Sequence, residues 1–118
     1  LFGFIDWCAR IGLSGAELTS YYFPEQFDLA YLRRLRKRAF DSGVTVTGTA
    51  VRNNFCLPPG SEREGHVRHV NQWIDYAAEM FAPHIRVFAG KPPAGVARGY
   101  HSGGLSRRSY GLRSCRKK

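Results

Sequence analysis

The sequence predicts an α/β fold, about three βα units with parallel strands and helices on the outside. Three observations predict it. The order helix, glycine, strand, loop occurs twice, and a helix, proline, strand unit follows. Gly12 and Gly43, which close the first two helices, stand 31 residues apart, and the third corner comes about 40 residues later. That is the period of a strand followed by a crossover helix, the connection parallel strands require. Finally, Ser61 to Gly90 reads without a break as one long helix, a tight corner and one strand.

The first helix covers Leu1 to Ile11, with Phe4, Ile5, Cys8, Ala9 and Ile11 on its apolar side. Gly12 ends it in the left-handed conformation that glycine tolerates best. A short strand, Ala16 to Thr19, follows, and then a loop from Ser20 to Gln26. Asp28 is placed to cap the second helix. Leu29, Leu32, Leu35, Ala39 and Phe40 are expected to face inward, and the run Arg33, Arg34, Arg36, Lys37 and Arg38 to form a solvated outer face. Gly43 closes this helix and Val44 to Val51 forms the next strand. The loop from Arg52 to Gly60 carries the turn signal Pro58-Pro59-Gly60.

Ser61 and Glu64 have the spacing of a capping box at the start of the third helix. Val67, Val70, Ile74, Ala77, Ala78 and Phe81 recur in steps of three and four, so they form one apolar stripe. Pro83 stops the helix because it has no amide to donate. His84 to Phe88 then reads as the third strand. No glycine-rich phosphate fingerprint follows the first strand, as a doubly wound dinucleotide fold requires. A partial (β/α)8 barrel is therefore favoured, although three strands cannot close one.

Charge divides the chain. Up to residue 95 there are eleven basic and nine acidic residues; beyond it there are seven basic residues and no acid. Residues 1–95 read as the partial barrel domain, and residues 96–118 as a disordered basic tail without a core-facing stripe. The abrupt turn to Arg, Ser and Gly looks like translation in a shifted frame. No run of about 18 apolar residues is present, so no membrane partner is expected. The three widely spaced cysteines, with no CxxC, suit reduced thiols and a cytoplasmic setting.

Residues 1–95 resemble the sugar phosphate isomerases/epimerases of the xylose-isomerase-like TIM-barrel superfamily. The resemblance rests on Gly15-Ala16-Glu17-Leu18-Thr19, on Asn54-Phe55 after the next strand, and on Ile85-Arg86-Val87-Phe88-Ala89-Gly90. It spans roughly the first half of a barrel, starting within the first helix. Phe81-Ala82 stands where the family usually has Gly-Ala. The resemblance implies metal-dependent isomerisation or epimerisation of a sugar, with a divalent metal as cofactor. In the family the ligands (acidic residues and a histidine) and the proton-moving glutamates come from later strands, which this chain lacks. The same superfamily includes metal-dependent endonucleases acting on abasic DNA, so fold alone does not select the reaction.

The expected function is thus that of a fragment of a sugar isomerase/epimerase-like protein, inactive alone, with no cofactor of its own and able to self-associate through open barrel edges. The substrate-binding candidates are Glu17, Asn53, Asn54, Arg86 and Phe88. Glu17 can take a sugar hydroxyl, or pair with Arg52 or Arg86 to hold the barrel mouth. Arg86 is expected in the barrel interior or mouth, where burial would demand a partner. Phe88 can stack on a sugar face, or serve the core. Asn53 and Asn54 can meet substrate, or cap the loop. No catalytic residue and no metal ligand is assigned. His66 and His69, with Glu62, read as a surface group rather than a metal site, and His84 as structural. A nucleic-acid-binding protein using the basic arm is the alternative, and a non-catalytic interaction fragment a third reading.

Overall fold

Each helix turns into its strand through the same corner. In the computed structural model, which describes residues 1–91 and Ala94, the helices are α1 (Phe2–Arg10), α2 (Leu29–Asp41) and α3 (Ser61–Glu79). Beyond each, one amide reaches back five residues along the chain: Leu13 N–H donates to the Cys8 carbonyl, Val44 to Ala39 and Ala82 to Ala77, all at 2.9 Å. This closure needs a left-handed residue just before the donor. Gly12 and Gly43 supply it at φ 80° and 70°, and Phe81 at φ 58°.

Phe81 corrects the expected apolar stripe of α3. The left-handed bend turns it outward, 64% exposed, with the Arg36 guanidinium 4.1 Å from its ring centroid. The helix has already ended before Pro83 is reached. Trp73 and Met80 fill the core in place of Ala78 and Phe81. The capping box does not form either. Gly60 is the N-cap, Ser61 is already helical, and Glu64 N–H donates to the Gly60 carbonyl at 3.0 Å. Glu62 and Glu64 still favour the helix start through its dipole. Asp28 caps α2 as expected, accepting from Tyr31 N–H at 2.8 Å.

Strands β1 (Gly15–Thr19), β2 (Thr45–Ala50) and β3 (Ile85–Arg86) form one parallel sheet in sequence order. The third strand is shorter than the expected span to Phe88. The ladder is irregular where β2 carries one extra residue, Thr47, so Glu17 stands opposite Gly48. His84 Nδ1 lies 3.3 Å from the Thr47 carbonyl, which it reaches only as a donor. One apolar core joins the sheet to all three helices, through Leu18, Val46 and Val51 on one side and Ile5, Leu32, Leu35, Val70 and Ile74 on the other. The opposite sheet face leaves Glu17, Thr45, Thr47 and Arg86 exposed. Helices on a single face are the arrangement of a barrel; a doubly wound sheet is covered on both.

Phe4, Ile11, Leu29 and Phe40 are exposed, against expectation. Helical geometry explains Phe40, which sits about 100° around the axis from buried Ala39. In the basic run of α2, Arg33, Arg34, Lys37 and Arg38 are exposed as expected and Arg36 is half-buried, and the run ties the helices together. Arg38 Nη2 pairs with Asp6 Oδ2 of α1 at 2.7 Å. Arg33 Nε pairs with Glu79 of α3 at 3.0 Å, and Arg36 donates to the Glu79 carbonyl. The tail assigned to residues 96–118 lies outside the described residues.

Two outcomes are expected. A left-handed non-glycine residue costs about 1–2 kcal/mol, partly offset by the greater unfolded freedom of glycine. Phe81→Gly should therefore raise stability by roughly 0.5–1 kcal/mol in urea melts; a loss would show that the Arg36 contact outweighs the strain. The Arg38 hydrogen bond, aided by charge, holds the Asp6 carboxyl below its usual range. A lowered folded pKa gives stability that is full above the unfolded value, near 4, and is lost as pH falls through the folded one. Asp6→Asn should flatten the acid limb of the stability–pH curve and leave its neutral slope unchanged.

Candidate functional site

Small residues on β2 open the space in which the site forms. Gly48 stands opposite Glu17, and Ala50 pairs with Thr19 on one side and Arg86 on the other. No bulky side chain of β2 intervenes, so Arg86 and Glu17 meet across the central strand. Arg86 Nη2 and Nε donate to Glu17 Oε1 at 2.7 and 3.1 Å. Their side chains keep 50% and 39% of their surface in solvent. Glu17's hydrogen bond and charge push the Arg86 pKa up, and Tyr21 adds to this electrostatically. Of the two partners considered for Glu17, Arg86 takes it. Arg52 makes no hydrogen bond or ion pair with any described residue. Glu17 is the middle residue of the five in β1.

Phe88 extends this face. Its ring is 41% exposed, and its centroid lies 5.5 Å from the Arg86 guanidinium carbon. Its backbone is gripped by one side chain: Asn53 Nδ2 donates to the Phe88 carbonyl at 2.6 Å, and Phe88 N–H donates to Asn53 Oδ1 at 2.8 Å. Asn53 is only 5% exposed, so these bonds satisfy an otherwise costly buried amide. Asn54 repeats the device. Its Oδ1 accepts from the Cys56 and Lys91 amides, each at 3.1 Å, and its Nδ2 donates to the Lys91 carbonyl at 3.3 Å. Phe55 N–H donates to the Ala89 carbonyl between them. The loops after β2 and β3 thus continue as a ladder built partly from side-chain amides.

That ladder requires Gly90. Its φ is 108°, and a Cβ there would sit 1.8 Å from Asn54 Oδ1. The five residues singled out in the sequence therefore fall into two groups. Glu17, Arg86 and Phe88 present a continuous polar and aromatic face; Asn53 and Asn54 stand behind it and engage both ends of their amides with backbone. Gly48 and Gly90, which make the site sterically feasible, carry no signal beyond being glycines beside strands. Thr19 Oγ1, opposite Ala50, is buried without a hydrogen-bond partner among the described residues.

Metal-ligating chemistry does not gather on this face. Among the described residues no three of His, Cys, Asp and Glu come together closely enough to hold an ion. His69 lies against Trp73, and partial burial followed by the charge of His66 pushes its pKa down. Cys8 is buried and Cys56 half-buried, both as free thiols.

Residues 5–112 match the family model of the xylose isomerase-like TIM barrel. In three dimensions the chain is similar to D-psicose 3-epimerase crystallised in the presence of D-fructose, with TM-score 0.64, 18% identity, and coverage of 73% of this chain and 30% of that one. It is also similar to a protein from Sinorhizobium meliloti 1021, with TM-score 0.60, 24% identity, and coverage of 82% and 34%. At these identities the likeness establishes the fold. The chain spans about a third of the length of either structure. No protein of curated function matches it in sequence.

Asn53→Ala removes two hydrogen bonds and leaves two backbone groups of Phe88 without their partner. At about 1 kcal/mol per bond plus the penalty for unsatisfied groups, it should cost roughly 2–4 kcal/mol. A loss below about 0.5 kcal/mol in denaturant titration would show that the amide does not organise the loop.

Proposed function

This chain belongs to the xylose isomerase-like TIM-barrel family, and on that premise we propose that its concave sheet face is part of the sugar-binding mouth of an isomerase- or epimerase-like barrel. The observation that carries the reading is the half-exposed Phe88 ring, fixed by Asn53 beside the Arg86–Glu17 pair. A sugar has an apolar C–H face and a rim of hydroxyls. An aromatic ring next to a charged hydrogen-bonding pair complements both.

In this reading these residues bind and orient. Isomerisation or epimerisation moves a proton at a carbon next to a carbonyl, which takes a base and stabilisation of the enediolate. Glu17 Oε1 is engaged by two Arg86 donors, so its role is positional. The described residues do not form a donor set for a divalent metal. The metal and the proton-moving groups of the family's chemistry would come from other strands of a complete barrel, and this chain alone would be inactive. The outer edges of β1 and β3, unpaired among the described residues, offer a route to self-association or completion by a second chain.

Titrating D-fructose and D-psicose into the chain while following Phe88 ring resonances tests this reading. It predicts saturable shifts in the millimolar range, abolished by Phe88→Ala, and no sugar turnover with added Mn2+. Unmoved Phe88 resonances would overturn it. Steeply salt-dependent binding of single-stranded DNA, lost on deleting residues 96–118, would favour the nucleic-acid reading instead.

A further inference from the structure

A second recess lies beside the sheet face, with Tyr21 of its lining close enough to act electrostatically on Arg86. It has a volume of about 540 Å³, between the loop that leaves β1 and the flank of α3, and Arg52 reaches it from the end of β2. Its lining includes neither Glu17, Arg86 nor Phe88. The volume is within the ~300–1,000 Å³ of small-molecule sites. Phe23 and Trp73, both buried and 5.0 Å apart edge to face, form its apolar floor. Around that floor stand Arg52, His69, Gln72 and Glu25.

Arg52 makes this recess more than a surface dimple. Arg33, Arg38 and Arg86 are each paired with a carboxylate, and Arg36 is bound to a carbonyl. Arg52, like Arg10 and Arg68, has no such partner among the described residues, but of these three it is the one that lines the recess, where Glu25 also stands. Arg52 is exposed beside this apolar floor, and its planar donors offer a phosphate a two-point contact. Partial burial holds His69 mainly neutral at pH 7, so Arg52 is the fixed positive charge of the lining. Gln72, which donates to the Tyr76 hydroxyl at 2.6 Å, and Glu25 add groups suited to hydroxyls.

We propose that this recess binds a small phosphorylated polyol, its phosphoryl group on Arg52 and its hydroxyls towards Glu25 and Gln72. The proposal does not rest on the sugar-mouth reading, because the two sites share no residue and are read out by different aromatic rings.

The test uses the full chain with its two tryptophans as reporters, Trp73 in the recess and Trp7 on α1. Glycerol 3-phosphate is titrated at constant ionic strength and the indole N–H resonances are followed. The Trp73 signal should shift saturably while Trp7 stays fixed, and uncharged glycerol should move neither. Arg52→Gln should weaken binding about tenfold or more, equivalent to about 1.4 kcal/mol, while Arg34→Gln on the exposed face of α2 leaves it unchanged. The proposal is overturned if Trp73 does not move in the wild-type chain. It is equally overturned if both indoles move together, as diffuse attraction to the basic residues would cause, or if Arg52→Gln binds as tightly as wild type.

Discussion

The sheet face depends on two asparagine amides. β3 is only two residues long, too short to set the course of the chain beyond it. Asn53 and Asn54 take over where the backbone ladder stops, each bonding both to an amide and to a carbonyl of the segment after β3. A side-chain amide carries the same donor and acceptor as a peptide group, so it can extend a parallel ladder without extending the strand. Phe88 consequently leaves the sheet at a fixed place, beside Arg86, and Gly90 provides the room. Without the clamp, the ring and the guanidinium would lie on an unanchored loop.

The outer layer follows from repetition. Three identical helix-to-strand corners deliver three strands in parallel, and all helices stay on one face. Phe81 shows how strongly the corner is specified: the chain accepts a strained aromatic residue rather than change the turn. The arginines of α2 then link neighbouring helices in series, Asp6 of α1 on one side and Glu79 of α3 on the other. Exposed pairs of this kind add little each, and the shared apolar core carries most of the contact between the layers.

Much of this was legible from local signals. Asp28 before Leu29, and Gly12 and Gly43 after their helices, act within one turn of where they stand, so their neighbours in sequence are their partners. The parallel order followed from the corner spacing, and Glu17 was read with Arg86 as one of two partners. Other features were hidden because their causes are tertiary. The extra residue at Thr47 is visible only against β1. Asn53 and Asn54 read as loop polar residues until the segment 35 or more positions later is beside them. Leu29 and Phe40 fit an apolar stripe by spacing, but the core accepts only the narrower row of Leu32, Leu35 and Ala39. Ser61 had the right partner for a capping box and lost the role to Gly60, which the two preceding prolines deliver to the helix start.

Family membership sets the frame, and the geometry narrows what these three units contribute to it: a fixed ring, an arginine paired with a carboxylate and a wall of small residues. The central claim is that side-chain amides, on either side of the Phe55–Ala89 backbone bond, hold the segment after β3 that carries Phe88. Amide hydrogen exchange tests it most directly at Phe88 and Lys91, whose N–H groups bond only to Asn53 and Asn54 oxygens. Slow exchange at both, approaching that of Val51 in the backbone ladder, is the predicted result. Exchange at Phe88 and Lys91 as fast as in an open loop, with Val51 still protected, would contradict it.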